Sequence, residues 1–387
     1  MHVKKLIYDL LSPVMHKKRL ITLTMFVMAT LTTNRLTLSE VGRALALPIK
    51  ERSGIRRSDR FLGNKKLHAE HKTIYKILSR RIVGLRPHPD IIVDWSSVPN
   101  TKNHILRAAI VADGRALTLY EEVHPEKELG NKRVQNKFLQ TLKEILPEEC
   151  KPVIITDAGF HNDWFKKVIQ LGWDCLGRIR GKKYFRLSGK AWQLCSNLFT
   201  KATSRPKYLG KAEICKSNVL SLNLCIFKSK KKGRKELNKS GRKRTDGTSL
   251  EYRKSANEPW LLVTSLPESY FLAKRVVKKY RTRMQIEESF RDLKSSRYGF
   301  GFENAYSQDI KRIEVLLLIA MLASFIAWLT GVVVERKKLH YGFQSNTTKN
   351  RRVLSLFFVG CQAIKRKIRI RVSEFISAID DGLCSTV

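Results

Sequence analysis

Two aspartates lie in short apolar runs of the sequence, where an unpaired charge is costly. Asp94 follows three aliphatic residues (91–93), and Asp157 directly follows the run "VIIT" (153–156). A carboxylate inside or at the tip of a buried strand is stabilised when it is paired or bound to a metal ion. Taken singly, Asp94 is equally well explained as the start of a turn and Asp157 as the cap of the next helix. Taken together, the two indicate an oxygen-rich site suited to Mg²⁺.

A third carboxylate is predicted on the segment "KYRTRMQIEESFRDLK", residues 279–294, which has the pattern of a single helix. With about 3.6 residues per turn, Tyr280, Arg283, Glu287 and Lys294 fall within an arc of roughly 60°. An apolar stripe at positions 286, 290 and 293 lies apart from this arc and is suited to packing on a sheet.

The same angular count favours Glu287 over Glu288 as the third metal ligand, because Glu288 points away from the face with Tyr280, Arg283 and Lys294. One carboxylate among these donors can hold a metal ion beside groups that contact a DNA phosphate. A charged helix face is more often simply exposed to solvent, and that alternative stays open for this helix taken alone.

The elements that position these residues form a mixed α/β pattern. From residue 88 to about 179, the sequence predicts three strands, a helix, a strand, a helix and a strand, with a hairpin turn at Asp113-Gly114. This is the order expected of a ribonuclease-H-like core. Residues 180–258 are predicted to interrupt the core as a β-rich insertion, whose basic run "KSKKKGRKELNKSGRKR" has the composition of a mobile loop.

The flanking regions are predicted to be helical. Residues 1–70 form a candidate DNA-binding domain, with a capping box at Thr37 and Glu40 and a helix that ends at Pro48. Its basic segment supplies candidate DNA contacts at Arg56, Arg57 and Arg60, although a solvated basic face explains any one of them equally well. The remaining predicted boundaries are a core in two parts, 71–179 and 259–335, and a C-terminal helical region, 336–387.

Composition indicates a polyanionic partner. The chain of 387 residues has 75 Lys and Arg against 34 acidic residues, a formal net charge of +41. Nucleic acid is favoured over an anionic membrane surface, because neutralised phosphates release condensed counterions. The seven cysteines form no C-x-x-C pair, which argues against a disulfide framework or a zinc site, and no signal-peptide pattern opens the chain.

One uncharged run, residues 315–334, is long enough to span a membrane. A helix buried inside a large domain is the favoured interpretation, because no second such segment exists. Two other classes of protein therefore stay open beside an active enzyme: a non-catalytic DNA-binding protein, such as a repressor or an inactive relative of such an enzyme, and a membrane-anchored basic protein.

The sequence resembles the DDE transposases of the IS-four family of bacterial insertion sequences. The family signature Y-x2-R-x3-E-x6-K is matched without a change of spacing by Tyr280, Arg283, Glu287 and Lys294. Further segments that look like this family are "DWSS", "ITDAGF", "LVTSLP", "SDRFLGNKKLH" and "RMQIEESFRDLKSSRYGFG".

This resemblance implies a metal-binding catalytic triad of Asp94, Asp157 and Glu287. It implies Mg²⁺, with Mn²⁺ as a substitute, and two-metal cut-and-paste chemistry: nicking of the transposon end, hairpin formation and opening, and strand transfer. It implies contacts from Tyr280, Arg283 and Lys294 to the DNA backbone. It also implies double-stranded DNA partners (terminal inverted repeats and target), a homodimer in a synaptic complex, and a place in the bacterial cytoplasm at the nucleoid.

Two further residues take roles from the resemblance. Trp260 occupies the place of a Trp that holds a base displaced during hairpin formation, and Met284 that of the residue that displaces it. Without the resemblance, core packing of Trp260 and helix packing of Met284 are the preferred explanations.

Overall fold

The computed structural model describes residues 3–45, 47–229, 258–348 and 350–382. The chain divides into two compact units, unit 1 with residues 1–152 and 284–387 and unit 2 with residues 153–283. The helices of the described residues are α1 (Val3–Leu11), α2 (Lys17–Thr33), α3 (Leu38–Arg43), α4 (Glu51–Leu62), α5 (Lys65–Val83), α6 (Lys132–Ile145), α7 (Asn162–Gln170), α8 (Leu272–Arg281), α9 (Met284–Lys294), α10 (Ile310–Arg336), α11 (Leu356–Lys365) and α12 (Val372–Gly382).

The strands of the described residues are β1 (Asp90–Ser97), β2 (Asn103–Val111), β3 (Ala116–Pro125), β4 (Val153–Thr156), β5 (Asp174–Ile179), β6 (Tyr184–Leu187), β7 (Gln193–Leu194), β8 (Lys207–Ile214), β9 (Leu220–Phe227) and β10 (Trp260–Thr264). The predicted fold class is confirmed: the succession β1-β2-β3-α6-β4-α7-β5 is that of a ribonuclease-H-like core. The strands β6 to β9 interrupt it before β10, and helical regions flank it on both sides.

The strands of unit 1 form the antiparallel arrangement β3-β2-β1. The predicted hairpin between β2 and β3 is confirmed, because the chain reverses at Asp113-Gly114 and Gly114 adopts a φ of +66°, which suits glycine. In unit 2 the strand order is β4-β5-β10-β9-β8-β6-β7, with β4 and β5 parallel and the remaining neighbours antiparallel.

The helix predicted between Thr37 and Pro48 is shorter than expected. Thr37 does cap α3, since its hydroxyl accepts a hydrogen bond from the Glu40 N–H at 3.2 Å, but α3 ends at Arg43. The helices α3 and α4 touch at Gly42, where an added Cβ would lie 2.6 Å from Ile55 Cα. The two helices therefore pack backbone against backbone at this glycine.

The helix predicted to cover residues 279–294 is two helices. The helix α8 ends at Arg281, α9 begins at Met284, and the chain passes from unit 2 to unit 1 at this break. The Thr282 hydroxyl donates to the Lys279 carbonyl at 2.7 Å, and the Arg283 N–H bonds to the Tyr280 carbonyl three residues back. Such local bonds compete with the helical pattern of bonds four residues apart. The angular count therefore holds within α9, from Glu287 to Lys294, but not back to Tyr280.

The long apolar run is a buried helix within unit 1, as favoured from the sequence. The helix α10 has the length and composition of a membrane span, yet 94% of its most apolar 18-residue window is buried inside the structure. Its crossing with α11 is close, since a Cβ on Gly360 would lie 1.7 Å from the Ala327 carbonyl oxygen. Most of the predicted basic loop, from residue 230 onward, lies outside the described residues.

Candidate active site

Asp94 lies in the middle of β1, and therefore does not start a turn. Its side chain is half-buried, and its Oδ1 accepts a hydrogen bond from the Trp95 N–H at 2.9 Å. Asp94 and Ser96 share one face of the strand, because side chains alternate along β1. Arg107 on β2 is the residue directly opposite Asp94, which places its side chain on the same face.

A buried ion pair continues this row of side chains across the sheet. Arg107 lies opposite Glu121 on β3, and its Nε donates to Glu121 Oε2 at 2.8 Å. The two side chains are only 4% and 1% exposed, and the Tyr75 hydroxyl donates to the second oxygen of Glu121 at 3.1 Å. Burial raises the pKa of Glu121, while the Arg107 cation opposes that rise. Asp94, Arg107 and Glu121 thus form a row of alternating charge.

The helix α9 lies over this face and is held at both ends. Near its start, the Gln285 side-chain oxygen accepts from the Ala112 N–H at 3.3 Å, and at its end Lys294 Nζ donates to Ser96 Oγ at 2.8 Å. Between these anchors, the Arg107 guanidinium lies 4.3 Å from the centre of the Phe290 ring. Because Ala112 follows β2 at the end where β1 begins, α9 runs in the same direction as β1.

These anchors place Glu287 and Asp94 on the same side of the unit 1 sheet. Glu287 precedes Lys294 by two turns, about 10.5 Å along the helix. The same distance along β1 spans about three residues, so Glu287 lies near the level of Asp94. Glu287 is exposed, whereas Glu288 is half-buried and forms ion pairs with Arg291 and, at 3.9 Å, with Arg115.

Lys294 is an ammonium group in an unfavourable environment. Burial, reinforced by the nearby Arg107 cation, lowers the pKa of Lys294 to about 8. A bound anion such as a phosphate would favour the charged form and raise this pKa. Above about pH 8, binding of an anion would therefore be coupled to uptake of a proton by this side chain.

In unit 2, Asp157 directly follows β4 and does not cap the next helix. Its Oδ1 accepts from the Gly159 N–H at 2.8 Å, and α7 begins only at Asn162 with His161 as its N-cap. A Cβ at position 159 would lie 3.1 Å from Asp157 Oδ1. The glycine thus permits the close turn that holds this carboxylate at the end of the strand.

Tyr280 and Trp260 pack against each other in unit 2. Their ring centroids are 5.1 Å apart at an interplanar angle of 73°, and the half-buried Trp260 also lies 5.6 Å from Phe227. Burial raises the pKa of Tyr280, Arg283 and Arg178 oppose the rise, and Asp157 adds to it. The phenol is therefore a neutral hydrogen-bond donor, within electrostatic range of Asp157 and Arg283.

The break between α8 and α9 carries two of the predicted residues. Arg283 is half-buried in the turn, and Met284 is the first residue of α9 with 43% of its surface exposed. Such exposure of a large apolar side chain differs from that of the buried Ile286 and Phe290 on the same helix.

The three N-terminal arginines do not share one face of α4. Arg56 and Arg60, four residues apart, are exposed on one side together with Arg52. Arg57 instead donates to the Thr22 hydroxyl on α2 at 3.2 Å. The contact of Arg57 holds two helices together, whereas Arg56 and Arg60 are accessible to a ligand.

Sequence reasoning missed Arg107, Glu121 and Ser96. The charged residues Arg107 and Glu121 each interrupt an apolar strand of the predicted hairpin, which is a visible signal. A regular register from the Asp113-Gly114 turn would, however, place Arg107 opposite Tyr120. An irregularity between Ala108 and Ala109 shifts the register by one residue and brings Arg107 to Glu121.

The predicted metal ligands are matched to the ion by their chemistry. Across the described parts of the chain, no group of three or more His, Cys, Asp or Glu side chains is placed to hold a metal ion. The predicted ligands, Asp94, Asp157 and Glu287, are all carboxylates on ordered elements, a donor set that fits Mg²⁺ and Mn²⁺. The metal-binding role of these three residues stays a prediction.

Comparison with known proteins identifies the family. No curated protein matches the chain. Among solved structures, a cryo-EM structure of the piggyBac transposase synaptic complex with hairpin DNA is similar at 11% identity and a TM-score of 0.41, covering 100% of this chain and 84% of that chain. The sequence model described as "Transposase DDE domain" matches residues 85–326, well over half of the chain. The chain therefore belongs to the transposase DDE domain family.

Proposed function

We propose that this protein is a Mg²⁺-dependent DNA transposase that moves an insertion sequence by a cut-and-paste route. The observation that carries the proposal is the placement of Asp94 and Glu287 on one side of the unit 1 sheet, in a chain of the DDE family. Within that family we assign it to the IS-four group, close to the transposase of insertion sequence ten, on the Tyr280, Arg283, Glu287 and Lys294 signature.

Each residue of the site has a role that follows from its chemistry. Asp94, Asp157 and Glu287 are the metal ligands, and the N–H groups of Trp95 and Gly159 hold the first two in place. Bound Mg²⁺ would supply activation of water or a 3′-hydroxyl and stabilisation of the leaving oxygen. Tyr280 donates a neutral hydrogen bond to a DNA phosphate, while Arg283 and Lys294 donate charged ones.

A hairpin intermediate requires a sharply bent strand and an unstacked base. The half-buried ring of Trp260 offers a stacking surface, and the exposed Met284 offers an apolar wedge. The partners are double-stranded terminal repeats and target DNA, and the protein acts as a homodimer on paired ends. A transposase of this group works in the bacterial cytoplasm at the nucleoid.

The test uses the full-length protein and a labelled duplex that carries the inverted repeat found beside the gene. With Mg²⁺ or Mn²⁺, we expect a nick at the repeat end followed by a hairpin, and with EDTA neither product. Trp260→Ala should reduce hairpin formation at least tenfold more than the first nick, with the exposed aromatic residue Tyr306→Ala as the control. Site-specific binding without metal-dependent cleavage would instead show a non-catalytic DNA-binding protein.

A further inference from the structure

The β-rich insertion is strongly one-sided in charge. Residues 180–229 contain eleven Lys and Arg and a single acidic residue, Glu213. That is +10 over 50 residues, compared with +41 over 387 for the whole chain. The density of positive charge is about twice the chain average, although none of the predicted site residues lies in this segment.

Part of this charge surrounds an open groove of about 500 Å³. The cations at its walls are Arg186, Lys190 and Lys211, and the other lining residues are Ser188, Gly189, Glu213 and Ser221. Arg186 pairs with Glu213 on the neighbouring strand, and its guanidinium lies 5.0 Å from the Trp192 ring centre, so two contacts orient it. Among the described residues, no carboxylate pairs with Lys190 or Lys211.

The groove opens on the same face of the unit 2 sheet as Trp260. Along β9, Ser221, Asn223 and Phe227 share one face, because side chains alternate. Ser221 lies opposite Glu213 and Asn223 opposite Lys211, while Phe227 lies opposite Trp260. From strand spacings of roughly 4.8 Å and a rise of about 3.3 Å per residue, the groove cations lie about 15–25 Å from Trp260.

We propose that this groove binds the phosphate backbone of duplex DNA roughly five to seven base pairs from the nucleotide held at Trp260. The inference rests on the proposed function, which places a DNA end at Trp260. Duplex rather than single-stranded DNA fits, because the nearby rings of Trp192 and Tyr184 are covered by the cations Arg186 and Lys216. Single strands are bound mainly by stacking on open rings.

The test compares two double variants of the full-length protein. Lys190→Gln/Lys211→Gln removes two groove cations, and Lys201→Gln/Lys228→Gln removes two exposed cations of the insertion outside the groove. We measure binding of the labelled repeat duplex from 0.05 to 0.3 M salt, and repeat it with neutral methylphosphonates at single positions. Unchanged melting temperatures of both variants confirm that they are folded.

The groove variant should bind about tenfold more weakly than the control variant at low salt. Its slope of log affinity against log salt should be smaller by nearly two. Methylphosphonates five to seven base pairs from the nick should weaken the parent and leave the groove variant unaffected. Equal slopes and affinities for the two variants would overturn the inference. The inference would also be overturned if the groove variant lost binding to an acidic polypeptide but kept its affinity for DNA.

The two proposals fail separately. If the parent protein never nicks DNA but the groove variant shows the smaller salt slope, the catalytic proposal is refuted and the groove proposal stands. A protein that nicks normally while the groove variant binds like the control refutes the groove alone.

Discussion

Arg107 is the residue on which the unit 1 part of the site depends most. Arg107 lies opposite Asp94 in the strand register, and its guanidinium forms a buried pair with Glu121 and supports the Phe290 ring of α9. A buried pair adds little net stability compared with apolar residues, but loss of one partner leaves the other charge uncompensated. The pair therefore fixes where Asp94 and α9 stand relative to each other within unit 1.

Arg107→Met should lower the free energy of unfolding by about 3–5 kcal/mol, because Glu121 is left buried without its cation. The double variant Arg107→Met/Glu121→Gln should recover much of this loss. Lys72→Met, which breaks an exposed pair with Glu144, should cost about 1 kcal/mol or less. Urea unfolding measures all three, and a cost for Arg107→Met no larger than for Lys72→Met would contradict the buried-pair account.

Lys294 should make DNA binding dependent on pH. Its pKa in the DNA-free protein is about 8, and a phosphate raises that pKa, so binding above pH 8 takes up a proton. Affinity is full well below pH 8 and falls as the pH rises through 8. We expect roughly eightfold weaker binding at pH 9 than at pH 7.5 in buffers of equal ionic strength.

The matched variant for this prediction is Lys294→Arg, which stays charged throughout this range and should flatten the pH profile. Titration of a labelled repeat duplex at five pH values measures both proteins. Parallel profiles for the parent and Lys294→Arg would show that another group controls the pH dependence.

At the scale of elements, the sequence predicted the order of strands and helices well, and their ends less well. The hairpin turn and the Thr37 cap were readable because Asp-Gly and Thr-x-x-Glu act locally. The break after Arg281 was not predicted, because the helical spacing of apolar and charged residues continues through it. Thr282 was the available signal, because its hydroxyl can bond to a carbonyl of the preceding turn. The partners of Arg107 depend on a register shift that no local pattern announces.

The crossing of α10 and α11 tests the packing of unit 1 at the same scale. Gly360→Ala should cost about 3 kcal/mol or more, because its Cβ would lie 1.7 Å from the Ala327 carbonyl oxygen and the helices must separate. Gly342→Ala, with no atom within 4 Å of the added Cβ, is the control. Thermal unfolding compares them, and similar melting temperatures would contradict the close crossing.

At the scale of the whole molecule, the charge and the apolar run at 315–334 were the informative sequence features. The net charge of +41 indicates a polyanionic partner. The basic insertion and the exposed arginines of α4 are two surfaces that carry part of this positive charge. Burial of α10 inside unit 1 agrees with the interpretation of the apolar run as a core helix. The division into two units was not predicted, because contacts between segments distant in sequence determine it.

The most direct test of the central claim is single-turnover nicking of the labelled repeat end in Mg²⁺ by Glu287→Gln and Glu288→Gln. Both variants change one carboxylate of α9 to an amide, and both should bind the duplex. We expect Glu287→Gln to nick at least a thousandfold more slowly than the parent, and we expect the same of Asp94→Asn and Asp157→Asn. The rate for Glu288→Gln should stay within about tenfold of the parent rate. Normal nicking by Glu287→Gln, or a larger loss in Glu288→Gln, would contradict the assignment of the catalytic carboxylates.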